Sequence, residues 1–144
     1  MKNQYNVQEY LYDFAVDGGA VSTINLSAKK GKNPLPVGAI VKSVTARVIT
    51  APLSTGSATI SWGHNTVTAY SGTAVAIASL GIDTLHNGER GGGLLWDDTN
   101  DSSLEVLVTD VTTTGLFNVA IAAEVLTAGK ILFMVEYLYP ALDV

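Results

Sequence analysis

Val37-Gly38-Ala39-Ile40-Val41-Lys42-Ser43-Val44-Thr45-Ala46-Arg47-Val48-Ile49-Thr50 is the stretch that decides the fold. Ile40, Val44, Ala46 and Val48 alternate onto one face, and Ser43, Thr45 and Arg47 onto the other. A period of two with apolar residues on one side marks a strand in a sheet with one buried face. Pro52 is predicted to end the strand, and Thr55-Gly56-Ser57 to turn the chain. Ala58, Ile60 and Trp62 then alternate against Thr59 and Ser61 on the returning strand.

The same phrase of strand, small-residue turn and strand occurs on both sides. Upstream, Tyr12, Phe14 and Val16 share a face, Asp17-Gly18-Gly19 turns, and Ala20 to Ser27 returns with Ile24 and Leu26 inward. Pro34 and Pro36 mark the connection from Lys29 to Pro36 as a loop. Downstream, Phe117, Val119 and Ile121 share a face. Thr127-Ala128-Gly129 reads as a turn, followed by Ile131, Phe133, Val135 and Tyr137 on one face until Pro140.

The middle of the chain is less regular. Residues 74–80 read as a loop with a short helical or strand segment, and 85–93 as an exposed glycine-rich turn. Leu94-Leu95-Trp96 begins a strand, and Leu104, Val106 and Val108 alternate in another. About eight strands separated by regular turns predict an all-β, antiparallel β-sandwich, jelly-roll-like in pattern. No convincing amphipathic helix supports an α/β enzyme fold. The polar residues 1–8 read as an N-terminal arm, and 9–144 as a single sandwich domain.

The 144 residues contain no cysteine, which excludes disulfide frameworks, thiol catalysis and thiolate metal sites. A chain of this length buries about two-thirds of its unfolded surface and needs no such staple. The polar N-terminus lacks a signal peptide's apolar core, and no run reaches the ~18 apolar residues of a membrane span; a soluble protein not exported by the standard route is expected. With 15% charged residues and a net charge of −5, nucleic acid and membrane are not expected partners. Low charge beside 47% apolar content fits either Thr and Ser on outer faces or a subunit covered by neighbours.

Motifs for chemistry are weak. The two histidines, His64 and His86, sit at a strand end and in a turn, and no nucleophile elbow accompanies them. Asp97, Asp98, Asn100 and Asp101 lack the central glycine and distal glutamate of a calcium loop and read as an acidic turn. No helix with a Lys-Ser/Thr start follows Gly91-Gly92-Gly93, so it is not a phosphate loop. No enzyme activity, cofactor or metal is expected.

The candidate contacts with neighbouring subunits or other proteins are of three kinds. Tyr5, Tyr10 and Tyr139 lie near the termini and would fall into one aromatic zone if the first and last strands pair, either as a core edge or as a contact. Lys29, Lys30 and Lys32 form the basic cluster, read as a solvated loop or a contact with an acidic neighbour. His86 and Arg90 belong to the exposed turn.

The chain resembles the small β-sandwich virion proteins encoded beside the major capsid protein in tailed bacteriophages. The resemblance lies in Tyr12-Asp13-Phe14-Ala15-Val16-Asp17-Gly18-Gly19, Leu35-Pro36-Val37-Gly38-Ala39-Ile40-Val41 and Thr55-Gly56-Ser57-Ala58-Thr59-Ile60-Ser61-Trp62-Gly63. It continues in Leu126-Thr127-Ala128-Gly129-Lys130-Ile131-Leu132-Phe133-Met134-Val135-Glu136-Tyr137-Leu138 and is loose over 64–95. It implies a virion structural protein on the capsid surface: a decoration or cement protein, homotrimeric, that bridges capsomers of the major capsid protein without catalysis. The alternatives are a neck, tail or head-fibre subunit, and a carbohydrate-binding module. The module would need Trp62 and Trp96 exposed on a concave face, whereas both read as buried.

Overall fold

The computed structural model describes residues 4–64, 74–87, 106–107 and 115–139. Nine strands form among them: β1 (Gln4–Asp13), β2 (Ser22–Asn25), β3 (Ile40–Ser54), β4 (Thr59–His64), β5 (Val75–Ala76), β6 (Leu85–Asn87), β7 (Val106–Leu107), β8 (Phe117–Ala122) and β9 (Leu126–Tyr139). One sheet has the order β1-β9-β3-β6, with the short β7 also pairing with β3; the other has the order β2-β8-β4-β5. All pairings are antiparallel. The chain changes sheet at every step but β4 to β5 and β6 to β7, and β1 and β9 end side by side. This is the topology of a jelly roll, and it agrees with the sandwich predicted from the alternation.

The inward positions of both sheets form one core, and four aromatic rings cross it. Tyr10 of β1 stacks on Phe117 of β8 at 5.0 Å and 5°. Phe117 meets Phe133 of β9 at 5.3 Å, and Phe133 meets Trp62 of β4 at 5.3 Å. The ladder passes from one sheet to the other at each step. Each ring pair contributes roughly 0.5–1.5 kcal/mol beyond its burial. Val44, Ala46, Val48, Ile60, Val119 and Ile131 fill the space beside it.

Several local features differ from the alternation. The strand expected to run through Val16 stops at Asp13, where a one-turn helix, α1 (Phe14–Asp17), begins. Asp13 caps it by accepting from the Ala15 N–H at 3.0 Å, and Asp17 reaches back to accept from the Asp13 N–H at 2.8 Å. This reciprocal arrangement satisfies two donors that a helix start leaves without partners. In β3 the register slips between Val41 and Ser43. The bulge turns Val41, not Ile40, into the core.

Pro52 does not end β3, which continues to Ser54 through further irregularities in its pairing with β9. Thr127-Ala128-Gly129, expected as a turn, lies inside β9; the turn falls at Ala123, which carries a φ of +70°. Gly129 has a φ of +143°, and a Cβ there would lie 3.1 Å from the Cα of Pro52. The proline and the glycine therefore face each other across one distorted step of the ladder.

Residues 4–8, expected within an arm, are the first half of β1 and pair with β9 from Tyr139 to Val135. The segment 74–80 supplies β5 and a turn of 3-10 helix, Ile77–Ser79. Leu85 to Asn87, expected in an exposed turn, instead forms β6 on β3. The expected strand at Leu94-Leu95-Trp96 and the acidic turn 97–101 lie outside the described residues.

Candidate interaction surfaces

The register gathers the sequence-predicted contacts into distinct environments. Tyr10 is fully buried, and its hydroxyl donates to the Asn33 carbonyl at 2.7 Å. It belongs to the core and is not a surface contact. Burial and the nearby Tyr137 push its hydroxyl well above the ordinary tyrosine range. Tyr12 is also buried, donates to the Gly18 carbonyl at 2.7 Å, and is pushed up to about 12 by burial and by Asp17 and Asp13. β1 does pair with β9, but the register sets Asn6 opposite Tyr137 and Gln4 opposite Tyr139, so no two terminal tyrosines stand opposite each other. Tyr137 packs against the core edge, Tyr139 is 41% exposed, and Tyr5 sits on β1 opposite Leu138.

The basic cluster divides by position. Lys29 is turned inward: its Nζ donates to the Leu11 carbonyl at 2.6 Å and to Asp17 Oδ2 at 2.9 Å. The side chains of Lys29 and Asp17 are only 23% and 7% exposed, so this pair is a structural clamp. Lys130 lies 3.3 Å from Asp13 Oδ2. The Ala15 N–H first, and then Lys130, hold the Asp13 carboxyl below the usual carboxylate range. Lys30 is exposed and Lys32 half-buried in the adjacent turn, where the Lys32 N–H donates to the Lys29 carbonyl at 2.9 Å. His86 occupies β6 opposite Ala46; Arg90 lies outside the described residues.

Three surfaces that the motif reading did not single out follow from the topology. The first is the outer face of the larger sheet. Leu11, Leu132, Arg47 and Leu85 stand in one cross-strand row, with Glu9, Met134 and Thr45 in the next. Arg47 lies 3.7 Å from Asp83, a pair well exposed on both sides and worth little. The second is the end of the sandwich where β1–β2, β3–β4, β5–β6 and β8–β9 connect. Exposed Val16, Val21, Leu53, Ile82 and Val125 cluster among these loops. A shallow groove there runs between Pro52-Leu53 and Ile77 to Gly81.

That end is tightly built. The Leu126 N–H donates to the Gly19 carbonyl at 2.7 Å, and a Cβ on Gly19 would fall 2.1 Å from the Leu126 oxygen. The third surface is the free edge of β1. Both edge contacts of Lys29 and Asp17 fall on its C-terminal half, at Leu11 and Asp13.

Trp62 is fully buried between the sheets, so it offers no stacking platform for a sugar; Trp96 lies outside the described residues. Among the described residues, no group of three or more His, Cys, Asp or Glu side chains is placed to hold a metal ion. No helix among them is long and apolar enough to cross a membrane.

No family model matches the sequence, and no curated protein matches it. Solved structures do match. One is a chain of the helicobacter phage structure described as "Acidic stable capsid structure of Helicobacter pylori bacteriophage KHP30", at a TM-score of 0.47 and 16% identity, covering 99% of both chains. Another is a chain of the "Cyanophage Pam1 capsid asymmetric unit", at a TM-score of 0.56 and 21% identity over 96% of this chain and 87% of that one. The fold of this protein is thus the fold of a chain in the cyanophage Pam1 capsid asymmetric unit, from nearly one end to the other.

Proposed function

We propose that this chain is a structural protein of a phage virion, a decoration or cement protein that sits on the capsid surface and bridges neighbouring capsomers. The observation that carries the reading is the superposition on a chain of the Pam1 capsid asymmetric unit, which covers 96% of this chain. A match of that extent compares whole domains, not one shared motif, and the role is inferred from it by analogy. The surfaces support it. An outer sheet face that mixes apolar and charged residues and an apolar-tipped loop end suit a subunit that works against neighbours.

In this role the major capsid protein is the partner and a homotrimer the working unit. Several modest contacts per trimer act together, because engaging one raises the effective concentration of the others. The sandwich supplies rigidity and no chemistry.

Two measurements test the reading. Light scattering on the purified protein should return three times the monomer mass; a monomer or dimer removes the trimer from the proposal. Quantitative protein counting on purified particles should find copies in the hundreds. A count of a dozen or fewer, on the order expected of a low-valency tail attachment, would move the protein to a neck, tail or head-fibre position.

A further inference from the structure

We infer that the N-terminal half of β1 is a docking edge that receives an extended, basic segment of a partner protein as an added strand. In a regular strand the backbone groups of alternate residues point to opposite edges. The pairing of β1 with β9 runs without a register break from Gln4 to Asp13. The Leu11 carbonyl is taken by Lys29 and the Asp13 N–H by Asp17. Odd-numbered residues therefore face away from β9, and Val7 and Glu9 present their N–H and C=O to the free edge. No partner for those groups is found among the described residues.

The two ends of one edge are treated differently. A lysine, an aspartate and a helix turn close the part near the loop end, which is how natural sheets stop unwanted pairing. Among the described residues, none closes the stretch 5–9 in this way. It contains no proline, and its outward residue Val7 is 60% exposed. A receptive strand of about five residues, near 17 Å long, matches the common mode of strand addition.

Charge selects the occupant. Val7 stands beside Glu9 on its own strand and directly opposite Glu136 on β9, both exposed. An antiparallel second copy centred on Val7 would bring both carboxylates of each chain around one two-fold axis, in a protein already carrying a net −5. A partner strand with an apolar residue over Val7 and Lys or Arg on either side meets the same surface favourably.

This inference rests on the shell reading above, and its test separates the two. Shells stripped of this protein are reloaded with wild type or Val7→Pro, and bound protein is measured by sedimentation. The proline removes an N–H that has no partner among the described residues, so the variant keeps its fold while its occupancy falls about tenfold or more. Occupancy equal to wild type overturns edge pairing and leaves the shell reading standing. Should Val7→Pro fail to fold, hydrogen exchange on wild type decides. Segment 5–9 gains protection on shells if the edge is used, and unchanged exchange overturns it. Wild type that does not bind shells overturns the shell reading, and with it this partner.

Discussion

The two halves of β1 belong to one ladder, yet they are built for different ends. From Tyr10 to Asp13 the strand is fastened: two tyrosines sit in the core with bonded hydroxyls, and the outward Leu11 carbonyl and Asp13 N–H are taken by Lys29 and Asp17. From residue 5 to residue 9 the inner edge pairs with β9, and the outer edge carries Val7 and Glu9 into solvent. The C-terminal half fastens the strand to the sandwich. The N-terminal half offers a surface, without loosening the ladder that holds it.

The largest effects should fall on the fastened half. Tyr10→Ala removes the first ring of the aromatic ladder and should cost about 3–5 kcal/mol in urea unfolding. Adjacent prolines give the sharpest comparison. Gln8→Pro deletes an N–H that points to β9 and should cost about 3 kcal/mol, whereas Val7→Pro should stay within about 1 kcal/mol of wild type. Equal losses from the two prolines would break the assignment of edges. Asp17→Ala strips Lys29 of its carboxylate and the Asp13 N–H of its acceptor, and should cost about 2 kcal/mol. Val7→Ala should lie within about 0.5 kcal/mol of wild type.

Tyr12 adds a pH dependence. Tyr12 titrates near 12 in the fold because of its burial, against an ordinary value of about 10. The unfolded chain therefore loses its proton first as pH rises. The stability that Tyr12 contributes is full below about 10 and is lost as pH climbs through about 12. Tyr12→Phe should be less stable than wild type by about 1 kcal/mol at neutral pH and should lose less on alkaline titration. Parallel alkaline curves for the two proteins would show that the Tyr12 hydroxyl is not held as described.

Much of the framework could be read from alternation alone. Val44, Ala46, Val48, Ile60, Trp62 and Phe133 are all where period two places them. What alternation could not carry was the interruption of it. Phe14 and Val16 continue the pattern of Tyr12, so the strand seemed to run on; the signal for α1 was Asp13 followed by Asp17 and two glycines, a cap and a stop. Gly129 looks like a turn residue until Pro52 is found against it, and that contact joins residues far apart in the chain.

The candidate contacts divide for the same reason. Tyrosine hydroxyls tolerate burial when bonded, so composition could not tell core Tyr10 from exposed Tyr139. Lys29 resembles Lys30 in sequence, and only the position of Asp17 and the Leu11 carbonyl separates a clamp from a solvated side chain. The open edge at 5–9 was invisible because it is a property of backbone direction, and the polar side chains there read as an arm.

Cryo-electron microscopy of purified particles containing this protein tests the account most directly. The account predicts jelly rolls on the outer surface of the shell at the junctions between capsomers, with a strand of a neighbouring protein continuing the larger sheet beyond residues 5–9 of β1. Jelly-roll density confined to the neck or tail, or a β1 edge facing only solvent on the assembled shell, would contradict it.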